Sequence, residues 1–507
     1  MDKLSPEIIH IIASLLSVDD LLNFRLASRS FADVGAAYLL PEVTFYAHEE
    51  ELERLRAISL HPIFSRNVKS LLYIGDAQMF PPPSFQDFVE WAREYNVISE
   101  RDNLSPNLSL SRLVTEYKQV EAVASNQHHV LTSRLDVACL EEVLPRLTSL
   151  RMATMSGDSK FQEDWYATPR PSPFNSTVRE PYLVAQDYPG GRQLEALALA
   201  IASTGCTIEH LRAGTFSWKF FQKDPAELKR MFTPFSNLRG IELDISFYFD
   251  GLELKNFRGE AKQLQALLGT GIIRDILSSM PHLQLMSVNA SYSYRPEVVG
   301  SMAPLSPCFQ PGYQWRDLQK LELRRIRCPR QELMSILELH RKTLREICLS
   351  RVDLKQTSWR ELLPWIRKTL YLHDACICGH LSGTPEDDTN PDASPPDREY
   401  FGAFLTESGP SEVASSINMY CRRGGECYPD EIPLDYNILQ KHYDRGVLLG
   451  VVWRIPKGNE DDDEFEGSLE DVESSDNGDE DGEDGLSDND LEQWFEKELL
   501  DSVFEHR

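Results

Sequence analysis

Residues 4–34 carry the most regular pattern of apolar and polar positions in the chain. The spacing predicts three short helices, capped at their starts by Ser5, Ser17 and Ser28, with Gly35 ending the third. Helices this short cannot bury their apolar residues among themselves, so they need a further surface, either a partner protein or the rest of the chain. The apolar stripe of the first helix consists of Ile8, Ile9, Ile11, Ile12, Leu15 and Leu16.

Behind this segment an apolar triplet recurs, with apolar residues at positions i, i+3 and i+5. Between the triplets lie segments with helical spacing, such as 192–202, 261–280, 330–341 and 359–370. The alternation predicts short parallel strands backed by helices, although an ordinary mixed domain could contain the triplet by chance. The triplets are Val68-Leu71-Tyr73, Leu147-Leu150-Met152, Ile208-Leu211-Ala213, Leu238-Ile241-Leu243, Leu283-Met286-Val288, Leu318-Leu321-Leu323 and Leu344-Ile347-Leu349.

Side chains that flank the apolar positions of such strands point away from the helices. If the strands form an irregular arc that resembles degenerate leucine-rich repeats, these side chains line its concave face, where repeat proteins bind partners. The mixture is polar and of both charge signs, which suits a protein or peptide target but is also common on solvated surfaces. The predicted target-binding residues are Arg239, Glu242, Asp244, Ser287, Asn289, Glu322, Arg324, Arg345 and Glu346.

Charge is concentrated at the C-terminal end. The formal net charge is −28, and residues 460–507 contain 22 Asp and Glu against two basic residues, so −20 belongs to this segment and −8 to the rest. Such a tail buries too little apolar surface to fold alone, and we expect it to be disordered apart from a short amphipathic helix near residues 491–504. The body lacks the excess of Lys and Arg that nucleic-acid binding requires.

Several function classes receive no support from the sequence. No segment is apolar enough to span a membrane, the N-terminus lacks the apolar run of a signal peptide, and nine thinly spread cysteines do not indicate disulfides. We therefore expect a protein of the cytoplasm or nucleus, without cofactor. No catalytic motif appears, so we expect no enzymatic activity of the chain itself. Cys376, Cys378, His380, Cys421 and Cys427 are the one metal-like group, and their spacing does not fit a zinc knuckle.

The N-terminal pattern also resembles a known family. Leu4 to Ile9, Ile12, Leu15-Leu16, Asp20-Leu21-Leu22 and Arg25 to Phe31 follow the order and spacing of an F-box, and the similarity to fungal F-box proteins continues to about residue 75. The family commonly has proline directly after the first leucine, whereas Ser5 lies between Leu4 and Pro6 here. We expect this departure to alter only the start of the helix.

The resemblance implies a substrate-receptor subunit of a cullin-RING (SCF-type) ubiquitin ligase. The F-box would bind a Skp-type adaptor, the body would bind an unknown protein target, and other subunits would transfer ubiquitin. The alternatives are a protein-interaction scaffold outside any ligase and, third, a zinc-binding protein. The implied adaptor-binding residues are Leu4, Pro6, Ile8, Ile9, Ile12, Leu21, Leu22, Leu26 and Phe31.

The predicted fold class is α/β (α+β), divided into five segments. They are an F-box-like three-helix module at 1–45, an irregular leucine-rich-repeat-like body at 46–380, a linker or loop at 381–399, a closing part of the body at 400–457 and the acidic tail at 458–507. Glycines near residue 424 and the apolar run 448–455 predict strands in the closing part.

Overall fold

The computed structural model describes residues 4–75, 84–88, 110–156, 190–246, 263–264, 266–291, 303–306, 308–357, 359–384, 399–403, 405–406, 409–410, 418 and 420–422. The chain divides into a unit at 1–457 and a unit at 458–507, and all described residues belong to the first. The predicted disorder and helix of the acidic tail, and the predicted strands at 448–455, lie outside the described residues.

Three helices open the chain, as the apolar pattern predicts. They are α1 (Pro6–Ser14), α2 (Val18–Ala27) and α3 (Arg29–Leu39). The Ser17 and Ser28 hydroxyls accept hydrogen bonds from backbone N–H groups of the following turns, which confirms both as N-caps. Ser5 also precedes a helix, but its side chain makes no capping hydrogen bond.

The prediction that Gly35 ends the third helix is wrong. Gly35 lies buried inside α3, where a Cβ atom would come within 2.5 Å of the Arg25 side chain. Arg25 crosses α3 at this point and its Nε donates to the Ala32 carbonyl at 3.2 Å. The absence of a side chain at Gly35 therefore allows α2 to pack closely on α3, and this glycine does not end the helix.

The body combines a parallel sheet with helices, so the α/β class is confirmed. Within the described residues, nine strands pair in parallel and in chain order. They are β1 (Glu42–Tyr46), β2 (Ser70–Ile74), β3 (Met152–Ser156), β4 (His210–Ser217), β5 (Gly240–Ser246), β6 (Leu285–Ser291), β8 (Lys320–Arg324), β10 (Glu346–Ser350) and β12 (Asp374–Thr384). The two-residue strand β7 (Ala303–Pro304) is not one of these nine.

The apolar triplets determine which residues of each strand lie side by side. Leu211, Ile241 and Met286 pair laterally, and their triplet partners Ala213, Leu243 and Val288 form the next row. All six are buried in one hydrophobic core. Because side chains alternate across a strand, the residues between them face away from this core.

One triplet was predicted in the wrong register, and two were missed. Leu71 and Tyr73 pair with Ala153 and Met155, so the second triplet is Leu150-Ala153-Met155 and not Leu147-Leu150-Met152. The small Ala153 conceals the pattern in the sequence. By the same pairing, Leu40-Val43-Phe45 precedes the first predicted triplet and Leu372-Ala375-Ile377 follows the last.

The helices on the core side follow the predicted spacing closely. The predicted segments 192–202, 330–341 and 359–370 correspond to helices that agree within two residues at each end, whereas 261–280 is helical only in parts. The helices are α4 (Glu49–Leu60), α5 (Leu110–Thr132), α6 (Leu135–Val143), α7 (Gly191–Thr204), α8 (Pro225–Phe232), α9 (Ile272–Ser278), α10 (Arg330–Leu339) and α11 (Trp359–Thr369).

A backbone arrangement repeats at the start of each of these nine strands except the first. The carbonyl oxygen of Arg239, for example, accepts the N–H groups of both Gln284 and Leu285, at 2.7 and 2.9 Å. The carbonyls that act in this way belong to Pro41, Lys69, Arg151, Glu209, Arg239, Gln284, Gln319 and Arg345. Each strand is thereby aligned on the one before it.

Five shorter strands are also described: two follow β8 and β10 and run in parallel with the end of β12, one pairs antiparallel with β12, and two form a separate antiparallel pair. They are β9 (Ile326–Pro329), β11 (Asp353–Lys355), β13 (Glu399–Ala403), β14 (Leu405–Thr406) and β15 (Gly409–Pro410). Arg325 and Arg351, which link β8 to β9 and β10 towards β11, have positive φ values of 57° and 52°. β12 itself runs to Thr384, into the segment predicted as a linker.

Residues 418–422 adjoin the β12 edge of the sheet. The Asn418 side chain accepts the backbone N–H of Ile377 at 2.7 Å, and the Arg367 guanidinium lies 4.5 Å from the centre of the Tyr420 ring. Asn418 and Tyr420 to Arg422 are helical, so the strand predicted over 420–427 is wrong for Tyr420 to Arg422. Among the described residues, side-chain contacts and not a further strand cover this part of the sheet edge.

His340 makes stability dependent on pH. The His340 ring is buried. Its Nε2 accepts a hydrogen bond from the backbone N–H of Trp315 at 3.0 Å, and its Nδ1 donates to the Ile336 carbonyl at 2.7 Å. Burial lowers the pKa of His340 below its ordinary value of 6.5. A proton added at Nε2 would point at the backbone N–H of Trp315 and replace this hydrogen bond by repulsion. The folded protein therefore disfavours the protonated form of His340.

We expect the free energy of unfolding to be fully maintained above the unfolded-state pKa and to fall as the pH drops below it, by up to about 1.4 kcal/mol per pH unit. The unfolded chain binds the extra proton, which gives this sign. Urea unfolding between about pH 7.5 and 5.5 measures it. His340→Gln should reduce the slope, whereas His282→Gln, at an exposed position, should not; equal slopes in all three proteins would contradict the assignment.

Candidate functional site

The N-terminal module, residues 4–39, has a small core of its own. Ile9 and Ala13 from α1, Leu21 from α2 and Phe31 and Ala36 from α3 are buried. The rings of Phe24 and Phe31 stack with their centres 4.6 Å apart. This packing holds the three helices together and determines which apolar side chains remain outside.

An exposed apolar patch remains on α1 and α2. Among the large hydrophobic side chains that the structure describes as exposed, all but Leu60 and Tyr371 lie in this patch. Leu26 is 85% exposed and Leu15 is 80% exposed. We call these residues the apolar patch. They are Leu4, Ile8, Ile11 and Leu15, at helical spacing in and directly beside α1, and Val18, Leu22 and Leu26, four residues apart along α2. Such a concentration of exposed apolar groups is typical of a protein-binding surface.

The structure separates the predicted adaptor-binding residues into two groups. Leu4, Pro6, Ile8, Leu22 and Leu26 are exposed, and Ile12 is half-buried. Ile9, Leu21 and Phe31 are buried in the module core, where they support the surface without forming it.

The sequence prediction also omitted three members of the apolar patch, namely Ile11, Leu15 and Val18. Ile11 and Leu15 were visible in the stripe of the first helix. Their assignment to the surface required knowledge of which side of α1 faces α3.

On the body, most of the predicted target-binding residues lie in two rows on the face of the sheet opposite the core. We call this the polar face. Glu242, Ser287 and Glu322 pair laterally in one row, and Asp244, Asn289 and Arg324 form the next. Arg239 and Arg345 instead precede their strands, at the edge where the carbonyls align the chain. Glu346 begins β10 beside Lys320.

Charged groups on the polar face are paired with one another. Glu322 is contacted by Lys320 at 2.9 Å, by Arg324 at 3.3 Å and by the Ser287 hydroxyl at 3.2 Å. Burial opposes ionisation of Glu322, but its hydrogen bond with Lys320 and the two nearby cations outweigh it and lower the pKa of the carboxyl. Asn289 donates to Asp244 at 2.9 Å. The face therefore presents organised ion pairs, not isolated charges.

Two further groups belong to this face but were absent from the prediction. Arg212 lies one strand before Glu242 and pairs with it at 2.9 Å. Cys348, Cys376 and Cys378 occupy the last two strands, β10 and β12, beside Arg324. These residues lie beside the two rows because their strands pair laterally with the neighbouring strands. The sequence alone does not reveal this pairing.

Of the predicted metal-like group, the three described cysteines are not brought together. Cys376 and Cys378 lie on the polar face, whereas Cys421 is buried in the hydrophobic core, where burial raises its pKa to about 12. The side chain of His380, and Cys427, lie outside the described residues. Across the described part of the chain, no group of three or more His, Cys, Asp or Glu side chains is arranged to hold a metal ion.

None of the helices in the described ranges is both long enough and apolar enough to cross a membrane. No family model matches the chain, and no curated protein matches its sequence. The resemblance to F-box proteins therefore rests on the sequence pattern of about the first 75 residues.

The division between core and surface can be tested with two leucines of α2. Leu21→Asp places a charge at a position that is 2% exposed and should destabilise the module by several kcal/mol, whereas Leu26→Asp should change its stability by less than about 0.5 kcal/mol. Hydrogen–deuterium exchange of residues 6–39 in the full chain measures the difference. Equal protection in the two variants would contradict the assignment.

Proposed function

We propose that the protein is an F-box substrate receptor of a cullin-RING ubiquitin ligase. The observation that supports this most is the apolar patch on α1 and α2. It includes four of the residues that the family resemblance implies for adaptor binding, Leu4, Ile8, Leu22 and Leu26, with exposed Pro6 beside them. Binding of a partner over such an apolar surface is favourable, because it removes the apolar side chains from water.

The body would act as the target-binding half. Strands that pair in chain order, each with the same apolar triplet and with helices on one side, support an irregular leucine-rich-repeat-like arc. Its polar face, with ion pairs around Glu322 and Glu242, would bind a protein target of mixed charge. The chain itself would contribute position and not catalysis, because proximity alone accelerates transfer by other subunits.

Co-purification of the full chain with a recombinant Skp-type adaptor tests the first half. Replacing Leu15 and Leu26 together by Asp should weaken adaptor binding at least about tenfold, because each charge would be buried without a partner in an apolar interface. Both side chains are largely exposed in the free protein, so the fold should be retained.

Leu60→Asp together with Tyr371→Asp is the matched control, since these exposed apolar residues lie on the body. The control should bind the adaptor like the wild type. Absence of binding by the wild-type chain, or equal binding by both double variants, would overturn the proposal and favour an interaction scaffold outside any ligase.

A further inference from the structure

Three cysteines that are distant in the sequence meet on the polar face of the sheet. Cys348 in β10 pairs laterally with Cys376 in β12, and Cys378 lies two residues further along β12 on the same face. The sulfur atoms of Cys376 and Cys378 are 3.7 Å apart, and Cys376 also hydrogen-bonds to Cys348. We call these three residues the thiol cluster. Cys376 is its central member.

Within the thiol cluster, Cys348 differs from all other described cysteines, Cys376 and Cys378 included, whose thiol pKa values are raised above the ordinary value. Cys308, Cys328 and Cys421 are buried in the hydrophobic core, where burial raises the pKa of each thiol. Cys348 is buried too, but the hydrogen bond with Cys376 lowers its pKa despite burial, and the nearby Arg324 charge acts in the same direction. Cys376 is only half-buried, so the cluster is open to small solutes.

The structure points to a peroxide-reactive site, and we propose that oxidation of the thiol cluster joins Cys348 to Cys376 in a reversible disulfide. The cluster supplies both parts that such a site requires, a thiol near the Arg324 guanidinium, which favours formation of the thiolate, and a laterally paired thiol that can resolve the oxidised sulfur. The ligand class is a small hydroperoxide, with hydrogen peroxide as the simplest member.

Strand geometry selects this pair of cysteines. Laterally paired residues of neighbouring strands have Cα atoms about 4.8 Å apart, well inside the range of disulfides. Residues two apart on one strand are separated by about 6.6 Å, close to the upper limit of that range. Cys376 and Cys378 therefore share a hydrogen bond more easily than a covalent bond.

The chemistry balances in two steps. The Cys348 thiolate attacks one peroxide oxygen, the O–O bond breaks, and hydroxide leaves, which gives a sulfenic acid at Cys348. The Cys376 sulfur then attacks the Cys348 sulfur, the S–O bond breaks, and the oxygen leaves as water with the proton of the Cys376 thiol. Two thiols are oxidised to one disulfide and one peroxide is reduced to water.

This site would make the polar face sensitive to redox conditions. The disulfide would remove the ionisable thiol of Cys348 that lies near Arg324 and would link β10 to β12 covalently. Arg324 also pairs with Glu322, so the change reaches the ion pairs described above. The inference does not depend on the proposed ligase function.

Peptide mapping of the full chain provides the test. Reduced protein, freed of reductant, is treated with one equivalent of hydrogen peroxide, alkylated, digested and analysed by mass spectrometry. We expect a cross-linked pair of peptides that contain Cys348 and Cys376, lighter by two hydrogen atoms and separated by dithiothreitol. The thiol of Cys348 should be lost at least about tenfold faster than that of Cys421.

Two variants and one control complete the experiment. Cys376→Ser should abolish the cross-link, whereas Cys378→Ser and the core variant Cys421→Ser should retain it. Absence of the cross-link in the wild type, oxidation to sulfinic acid only, or pairing of Cys348 with any other cysteine would overturn the proposal. The wild-type peptide map decides by itself if a variant fails to fold.

Discussion

The alignment of each strand on the preceding one is the constraint on which the body of this protein depends. A single carbonyl at the start of one strand accepts two N–H groups from the start of the next, from Pro41 through Arg345. This fixes the register at one end, and the buried apolar triplet fixes which side of the strand faces the core. A shift by one residue would expose every core side chain of that strand, so hydrogen bonding and burial support the same register.

This constraint gives the sheet two chemically different faces. The core face contains the triplets and packs against the helices, with Trp218, Trp315 and Trp359 among its largest buried side chains. The polar face contains the alternate residues, whose ion pairs and thiols are neighbours because the strands are in register. Residues that are far apart in the chain thus lie side by side on one surface, although no local sequence pattern encodes these contacts.

The N-terminal module uses the opposite arrangement. Its core is small, centred on Leu21, Phe31 and the close approach of Arg25 to Gly35, and the seven residues of the apolar patch remain outside it. A three-helix segment has too little interior to cover them. The same chain therefore combines a body whose surface is polar and internally paired with a module whose surface is apolar, and the proposed function assigns a different partner to each.

The sequence by itself determined the three N-terminal helices, several helices of the body, most of the triplets and the class of fold, because periodic burial leaves a local trace in hydrophobicity. It did not determine the register at Ala153, where a small residue occupies a core position, or the separation of Leu21 from Leu22 and Leu26 into core and surface. Only the tertiary structure brought Asp136 to the Tyr73 hydroxyl at 2.9 Å and to Arg192 at 3.0 Å, and Cys348 to Cys376. Such contacts join residues from separate strands and helices, and their partners are set by strand order and helix packing, which no local pattern encodes.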